Sequence, residues 1–145
     1  MSPRPKRFRK VERPPSIRGY RPMGSRQCMG AEVLLHFEEY EALRLADYDL
    51  CTHAMAAERM GVSRPTFTRI YEEARRKVST AFVESRPLLI EGGQVEFGES
   101  WFHCRECGNT FAPVGGAAWD KDICPLCQGP EPEPLTSDNI NPKRK

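Results

Sequence analysis

Apolar residues recur at helical spacing in two neighbouring stretches near the middle of the chain, and only a few residues separate the two stretches. In the first stretch, one face of a helix is formed by Ala56, Ala57 and Met60. The second stretch carries an inward stripe of four apolar residues, Phe67, Ile70, Ala74 and Val78. The pattern predicts two packed helices, with the small Ala57 where their backbones come close.

Residues that favour helix ends stand at the boundaries of this helix pair. Gly61 can adopt the positive φ that ends a helix without a Cβ penalty. Ser63 is a good N-cap for the second helix, and Pro65 is tolerated in a first turn because the N–H groups there lack helical partners. The second helix should run to about Val83, since Pro87 stops it soon afterwards.

Two helices joined in this way are typical of a helix-turn-helix, whose second helix enters the major groove of DNA. An ordinary helical hairpin is the alternative. Each of these residues is common alone, but few other folds place all of them at these intervals, so the pattern favours DNA binding. The residues expected to face DNA are Ser63, Arg64, Pro65, Thr68, Arg69 and Glu72. Arg64, at the helix tip, is best placed to offer paired donors to a guanine edge, whereas Arg69 lies along the groove wall.

The segments on either side of the helix pair predict a supporting helix and a hairpin. Residues 32–47 read as an amphipathic helix that completes a three-helix core, with a solvated face formed by Glu38, Glu39, Glu41 and Arg44. Residues 88–91 and 94–97 read as strands around the turn Gly92–Gly93. The predicted fold class is mainly α: a three-helix helix-turn-helix domain with a short β-hairpin, plus a small C-terminal zinc ribbon.

Positive charge is concentrated at the N-terminus of a chain whose formal net charge is only +2. Residues 1–30 hold nine Lys and Arg residues but one acidic residue, and they are rich in proline. This composition predicts an extended arm that follows phosphates or enters the minor groove, with a solubilising tail as the alternative. The arm residues expected to contact DNA are Arg4, Lys6, Arg7, Arg9 and Lys10.

Four of the six cysteines form two CxxC pairs with sixteen residues between them, namely Cys104, Cys107, Cys124 and Cys127. Two such turns supply the four thiolates of a closed tetrahedral site, so the spacing predicts one structural Zn²⁺. A redox dithiol is disfavoured because no βαβ pattern surrounds either pair. Iron remains an open alternative, since four thiolates also suit it. The roles of Cys28 and Cys51 stay unassigned.

Composition divides the chain into four parts, a basic arm over 1–30, a helix-turn-helix domain over 31–97, a zinc ribbon over 98–129 and a disordered tail over 130–145. No apolar run is long enough to span a membrane, and the basic N-terminus lacks the apolar stretch of a signal peptide, so we expect a cytoplasmic protein. The sequence carries no P-loop, GxGxxG, GxSxG or HExxH motif, so we expect no enzymatic activity.

Three segments closely resemble signatures of a small prokaryotic family, uncharacterised protein family 0251, also called domain of unknown function 134. They are residues 37–47, 57–67 and 90–93, and the arm leading to residues 20–24 is similar as well. The resemblance covers about residues 1–93. It implies a helix-turn-helix similar to region four of bacterial sigma factors, in a family described as predicted DNA-binding proteins. The cysteine-containing end lies outside it and is argued from spacing alone.

These observations together predict a non-enzymatic, sequence-specific protein that binds double-stranded DNA and regulates transcription. The sequence leaves two other classes open, an RNA- or ribosome-associated factor and a protein-interaction adaptor of the transcription machinery. It also leaves open whether the protein binds DNA as a homodimer, since oligomeric state cannot be read from these motifs.

Overall fold

Three α-helices lie between two groups of short strands in the computed structural model, which describes residues 7–24, 30–98, 101–113, 119–136 and 140. The first group is β1 (Arg9–Val11), β2 (Gly19–Tyr20) and β3 (Val33–Leu35). The helices are α1 (Phe37–Leu43), continued by a π-helix (Arg44–Tyr48), then α2 (His53–Met60) and α3 (Arg64–Val83). The second group is β4 (Leu88–Ile90), β5 (Val95–Phe97), β6 (Phe102–His103), β7 (Thr110–Phe111) and β8 (Glu133–Pro134).

Local capping fixes the α2–α3 pair as the sequence predicted. Gly61 follows α2 with a φ of +69°, in the left-handed region that glycine adopts without a Cβ penalty. Ser63 caps α3, since its Oγ accepts a hydrogen bond from the backbone N–H of Thr66 at 3.3 Å. α3 ends at Val83, so its predicted length is confirmed.

The predicted apolar face of α2 meets the first half of the predicted α3 stripe, Phe67 and Ile70, in a buried cluster, whereas Ala74 and Val78 pack in the other apolar cluster, with Phe37. Phe67 is fully buried in the cluster with α2, and Tyr71 stacks on it with ring centroids 5.9 Å apart. The cluster also takes residues from α1 and the π-helix, and its buried members are Ala42, Leu45, Ala56, Ala57, Met60, Phe67 and Tyr71. This packing holds the exposed face of α3 in a fixed orientation.

The prediction of a mainly α fold is wrong. The described residues contain three small sheets: β1 pairs in parallel with β5, β4 lies between β2 and β3, and β6 lies between β7 and β8. These strands have only two or three residues, too short to show a clear alternation of apolar and polar positions. Except for β6 and β7, their partners are also distant in sequence, so no local pattern reports those pairings.

The predicted hairpin around Gly92–Gly93 is also wrong, because the two strands that flank it belong to different sheets. The loop instead wraps a carboxylate, and the backbone N–H of Gln94 donates to Glu38 Oε2 at 3.0 Å. A Cβ at Gly93 would lie 2.8 Å from that same oxygen, and Gly93 has a φ of +107°. The glycine pair therefore permits close approach to Glu38 and does not serve a hairpin turn.

The helix predicted from residue 32 begins only at Phe37, because residues 33–35 form β3 in parallel pairing with β4. Its polar face is not solvated, which corrects the sequence prediction. The four charged residues on it are all buried, at 9%, 4%, 0% and 9% exposure for Glu38, Glu39, Glu41 and Arg44. β1 and the β4–β5 loop cover Glu38, Lys77 of α3 binds Glu39, and the backbone N–H of Arg13 donates to Glu41. Periodicity within one helix cannot report a cover supplied by distant segments.

The two chain ends are built into the body more than the sequence predicted. Val11 of β1 is 2% exposed and lies in one apolar cluster with Leu135 and Ile140, so neither the arm nor the tail is wholly loose. Segment 130–145, predicted to be disordered, contains β8, and the N–H of Leu135 donates to the carbonyl of Trp101 at 2.8 Å. Within the described residues, no helix is long and apolar enough to cross a membrane.

Candidate nucleic-acid interface and metal centre

The N-terminal half of α3 presents a polar and cationic face to solvent. Arg64, Pro65, Arg69 and Glu72 are all exposed, and Ser63 is exposed at the cap. The guanidinium of Arg69 reaches back to Thr66, with Nη2 donating to Oγ1 at 3.4 Å. Arg64 occupies the first helical position, so its side chain leaves the helix at the tip. The predicted contact residues of α3 are thus close together on one surface.

Thr68 is the least accessible of these predicted residues and is held by a residue that sequence reasoning missed. His53, the first residue of α2, places Nδ1 3.0 Å from Thr68 Oγ1. The His53 ring is fixed edge-on against Phe67 and Tyr71, with centroids 5.2 Å away in each case. A histidine at the start of a short helix carries no motif, so only the contact shows its role as a support for the exposed face.

The N-terminal strand brings further cations beside the same helix pair. The Lys10 methylenes lie 3.8 Å from where a Cβ at Gly61 would stand, so Lys10 crosses the turn between α2 and α3. Arg9 lines a polar cleft of about 350 Å³ together with Thr66 and Arg69, and acidic Glu38, Glu39 and Glu73 line it as well. Arm and helix residues that are more than fifty positions apart in sequence therefore form one continuous surface.

Some of the remaining arm residues that were predicted to contact DNA lie within the described part of the chain and others lie outside it. Arg7 is described and exposed, whereas Arg4 and Lys6 lie outside the described residues, as does Cys28. Part of the arm charge is neutralised internally, because Arg9 lies 3.7 Å from Glu38. Lys10 and Arg7 are therefore better candidates for external anions than Arg9.

An ion-pair network fastens the arm to α2. Glu12 accepts hydrogen bonds from Arg59 Nη2 at 2.6 Å and Nε at 3.1 Å, and Arg44 lies 3.7 Å away. The hydrogen bond from Arg59 lowers the pKa of Glu12, and burial opposes it only in part. Arg44 Nη1 also donates to Asp49 at 2.7 Å, which ties the network to the loop before α2. The one acidic residue of the arm thus anchors it.

The buried acids of α1 are each neutralised by a nearby group. Arg44 binds Glu41 through Nε and Nη2, and Lys77 Nζ donates to Glu39 Oε1 at 2.6 Å. Burial raises the pKa of Glu41, although Arg44 acts in the opposite direction. Burial likewise raises the pKa of Glu38, against the influence of Arg9. The charge of these carboxylates is thus offset within the body, while α3 itself exposes acidic Glu72 and Glu73 beside its cations.

The four predicted cysteine ligands converge at one point beyond β6. Their Sγ atoms all lie within 4.8 Å of one another, with 3.6 Å between Cys104 and Cys127 and 3.9 Å between Cys107 and Cys124. Thiolates about 2.3 Å from one tetrahedral ion would be about 3.8 Å apart, so the spacing fits a metal ion. Cys104 and Cys124 are buried, while Cys127 is exposed.

Backbone N–H donors to the sulfur atoms, together with the repulsion between neighbouring thiolates, make this cluster suited to a cation. Burial raises the pKa of Cys124, but the N–H groups of Cys127 and Leu126 and the neighbouring thiols outweigh burial and lower it to about 7. For Cys127 the N–H of Gly129 lowers the pKa, yet burial and bonds to the other three thiols raise it to about 12. Four thiolates cannot coexist at this distance without a positive ion, and metal binding removes the conflict.

Aromatic rings form the small core behind the cysteines. Phe102 and Trp119 meet edge-on at 4.7 Å, and Phe111 and Trp119 at 5.4 Å, and together with the buried cysteines they form a separate cluster. So few apolar residues cannot hold a module together on burial alone. The arrangement is able to hold a metal ion, which would then contribute to folding this end of the chain.

Comparison with known proteins places the sequence in one family. The family described as "Protein of unknown function DUF134" matches residues 1–98. Similar relatives include UPF0251 proteins of Chloroherpeton thalassium, 44% identical over 73% of this chain and 70% of the relative, and of Pelotomaculum thermopropionicum, 38% identical over 86% and 92%. A UPF0251 protein of Caldicellulosiruptor bescii is 42% identical over 86% of this chain and 83% of its own. No solved structure matches the chain. The chain therefore belongs to the DUF134 family of UPF0251 proteins.

Proposed function

We propose that the protein is a sequence-specific binder of double-stranded DNA that acts as a transcriptional regulator. In this proposal α2 and α3 are a helix-turn-helix, and the N-terminal half of α3 enters the major groove. The observation that carries the proposal is that α3 exposes Arg64 and Arg69, while Lys10 of the arm lies against Gly61 in the turn before α3. Specific recognition requires base-reading groups and phosphate-binding cations on one surface, and these residues meet that requirement.

In this proposal some residues of α3 read bases, and other residues hold the helix in position. Arg64 projects from the helix tip and offers the paired donors that match guanine O6 and N7. Thr68 is oriented by His53, while Ser63 and Pro65 fix the start of the helix. Arg69 and Glu72 face the groove wall, one as a donor and the other as an acceptor.

The arm contributes sequence-independent affinity in the proposed complex. Glu12 and Arg59 hold β1 against α2, so Lys10 and Arg7 reach phosphates beside the groove that α3 occupies. Such contacts release counterions and make binding depend steeply on salt. Arg4 and Lys6 belong to the same set in sequence and extend it beyond the described residues.

The cysteine cluster holds one structural Zn²⁺ in a zinc ribbon within this proposal. All four positions are thiolates, so no ligand position is left open for a substrate, which is the feature of structural sites. The zinc orders β6–β8 and thereby secures the tail that packs on the body through Leu135. No enzymatic role is proposed for it.

Selection of bound sequences from a random pool of DNA duplexes tests this function directly. The proposal expects enrichment of a defined motif, with binding that persists when structured RNA is added as a competitor. An RNA-binding protein would instead release DNA to that competitor. An adaptor without nucleic-acid affinity would enrich no motif at all, even at low salt. Either of these results would refute the proposal.

A further inference from the structure

A large apolar recess lies at the opposite end of α3 from Arg64. Its volume is about 820 Å³, and it opens between the C-terminal part of α3, the π-helix and the sheet that contains β4. Leu35 and Ile90 form its buried floor, while half-buried Leu43, Val78 and Leu88 form its walls. None of these residues has a part in the proposed contacts with DNA or metal.

Exposed aromatic side chains surround this recess. Phe82, Tyr48 and Tyr20 all line it, yet they are 86%, 79% and 64% exposed. An aromatic side chain buries about 150–250 Å² when covered, so these three rings leave on the order of 400 Å² of aromatic surface in water. That area is comparable with the largest apolar patches on soluble monomers, which are often functional.

We propose that this recess and its aromatic rim form a homodimer interface, occupied by the same face of a second copy of the chain. A two-fold interface pairs a patch with itself, so the patch must be self-complementary. This one carries both a protruding ring, Phe82, and an apolar recess able to receive a ring. Phe82 of each copy would enter the recess of the other copy.

The charges at the rim favour a second copy over a strongly acidic or basic partner. The charged residues that line the recess are Arg21, Arg44, Arg86 and Asp47. Arg44 is already paired with Glu41 and Asp49, and Glu84 lies 3.8 Å from Arg86, so both signs are present at the rim. A patch with cations and anions can pair with itself across a two-fold axis, whereas a patch of one sign would repel its copy. The aromatic area is about half of the roughly 800 Å² that each partner contributes to a standard interface, and the recess walls supply more.

This inference extends the proposed function but concerns a different surface. Phe82 lies eighteen residues after Arg64 on α3, so the interface is about 27 Å from the helix tip along the axis. Two chains joined there would leave both DNA-facing ends free. Dimers of this class bind half-sites about 34 Å apart, and two inclined helices that meet at their far ends can span that distance.

Sedimentation equilibrium of the full-length protein tests the interface without DNA. We expect the wild-type protein to reach twice the chain mass of 16.5 kDa at micromolar concentration. Phe82→Glu and Tyr20→Glu should each weaken dimerisation at least about tenfold, as charge replaces an aromatic anchor. Met55→Glu is the matched control, because Met55 is an exposed apolar residue, 54% exposed on α2, that does not line the recess.

Phe82 and Tyr20 are exposed in the single chain, so the variants should remain folded, with unchanged circular dichroism. A wild-type protein that stays monomeric would refute the interface, as would a dimer that Phe82→Glu leaves intact or that Met55→Glu also abolishes. Tight binding of a small apolar molecule in the recess of a monomeric protein would refute it too. A dimer that binds no duplex DNA would instead support the interface and refute the proposed function.

Discussion

At the scale of single residues, Arg44 has the most consequential environment outside the proposed DNA-binding surface. It is 9% exposed and neutralises fully buried Glu41, and it also contacts Asp49 and Glu12. A buried ion pair adds little net stability, but removal of one partner leaves a charge without compensation. The importance of Arg44 is therefore that its removal would leave the buried carboxylate of Glu41 without a compensating positive charge.

Replacement of Arg44 by Met should lower the free energy of unfolding at pH 7 by about 3–5 kcal/mol, the cost of breaking a buried ion pair. Without Arg44 the pKa of Glu41 rises further, since Arg44 is what opposes burial. The folded variant then binds more protons than the unfolded chain above pH 4.5, so the loss should shrink as pH falls through the raised pKa. The loss of stability at each pH is measured by urea unfolding of both proteins at intervals of about 1 pH unit between pH 4 and pH 7.

Arg76→Met is the matched control for that substitution. Arg76 pairs with Glu73 at 3.1 Å, but its side chain is 73% exposed. Exposed pairs contribute at most about 1 kcal/mol, so the control should change stability little at any pH. Equal losses of unfolding free energy in the two variants would show that the buried ion pairs of Arg44 stabilise the protein no more than the exposed pair of Arg76 does.

The charged residues of α1 also show how far residue-level prediction reaches. Helical periodicity placed Glu38, Glu39 and Glu41 on a solvated face, which is wrong, because β1 and the β4–β5 loop cover Glu38 and Lys77 of α3 binds Glu39. Exposure depends on segments that are distant in sequence. His53 was missed for a similar reason, since its partner Thr68 is on another helix.

At the scale of elements, the four-cysteine module should fold only with its metal. The purified protein should contain about one zinc per chain, and Cys107→Ser should release it, because ligand loss opens the closed site. Trp119 should then become solvated, since Phe102 and Phe111 no longer hold it, while helical circular dichroism persists. Elemental analysis and tryptophan fluorescence measure the two effects.

Free Cys51 offers a control for the metal experiment, because it lies on the connection before α2 and is not part of the cluster. Cys51→Ser should retain the metal in full. Absence of metal from anaerobically prepared wild-type protein would contradict the proposed zinc site, and iron in its place would correct the identity of the ion while leaving the ligands unchanged.

The arm yields a prediction about salt dependence. Lys10→Gln should reduce the slope of log affinity for DNA against log salt by about 0.9, the value for one phosphate contact, with little change in sequence preference. A substitution is required, because Val11 is buried and deletion of the arm would disturb the core. Lys121→Gln, an exposed lysine of the cysteine module, serves as the control and should leave the slope unchanged. Equal slopes for wild type and Lys10→Gln would remove Lys10 from the phosphate contacts.

Elements differed in how well the sequence predicted them, and the reason is the range of the interactions. α2, the turn and α3 depend on local signals such as Gly61 and Ser63, and the end of α2 and both bounds of α3 were predicted well. β3 and β4 pair across more than fifty residues, and each has three residues, so no local pattern could identify the pairing. The CxxC spacing predicted the cysteine cluster because ligand chemistry imposes a regular sequence pattern.

At the scale of the whole molecule, the chain ends join parts that composition had separated. Val11 from the arm and Leu135 and Ile140 from the tail share one core with Phe37 of α1. Because the tail beyond the cysteine cluster packs on the same core as the arm, loss of the proposed metal could be transmitted to the proposed DNA-binding surface. The two proposed surfaces lie at opposite ends of α3, so one helix would relate dimerisation to DNA reading.

The central claim is that the tip of α3 reads bases, and Arg64→Ala tests it most directly. The affinity of wild type, Arg64→Ala and Arg76→Ala for the selected duplex, and for duplexes with single-base changes, should be measured at one salt concentration. We predict a loss of about 1–3 kcal/mol for Arg64→Ala with relaxed selectivity at one base position, because a bidentate contact is removed. Arg76→Ala, with its exposed side chain more than three turns further along α3, should retain both affinity and selectivity. Unchanged affinity and unchanged base preference in Arg64→Ala would contradict the assignment of α3 as the reading helix.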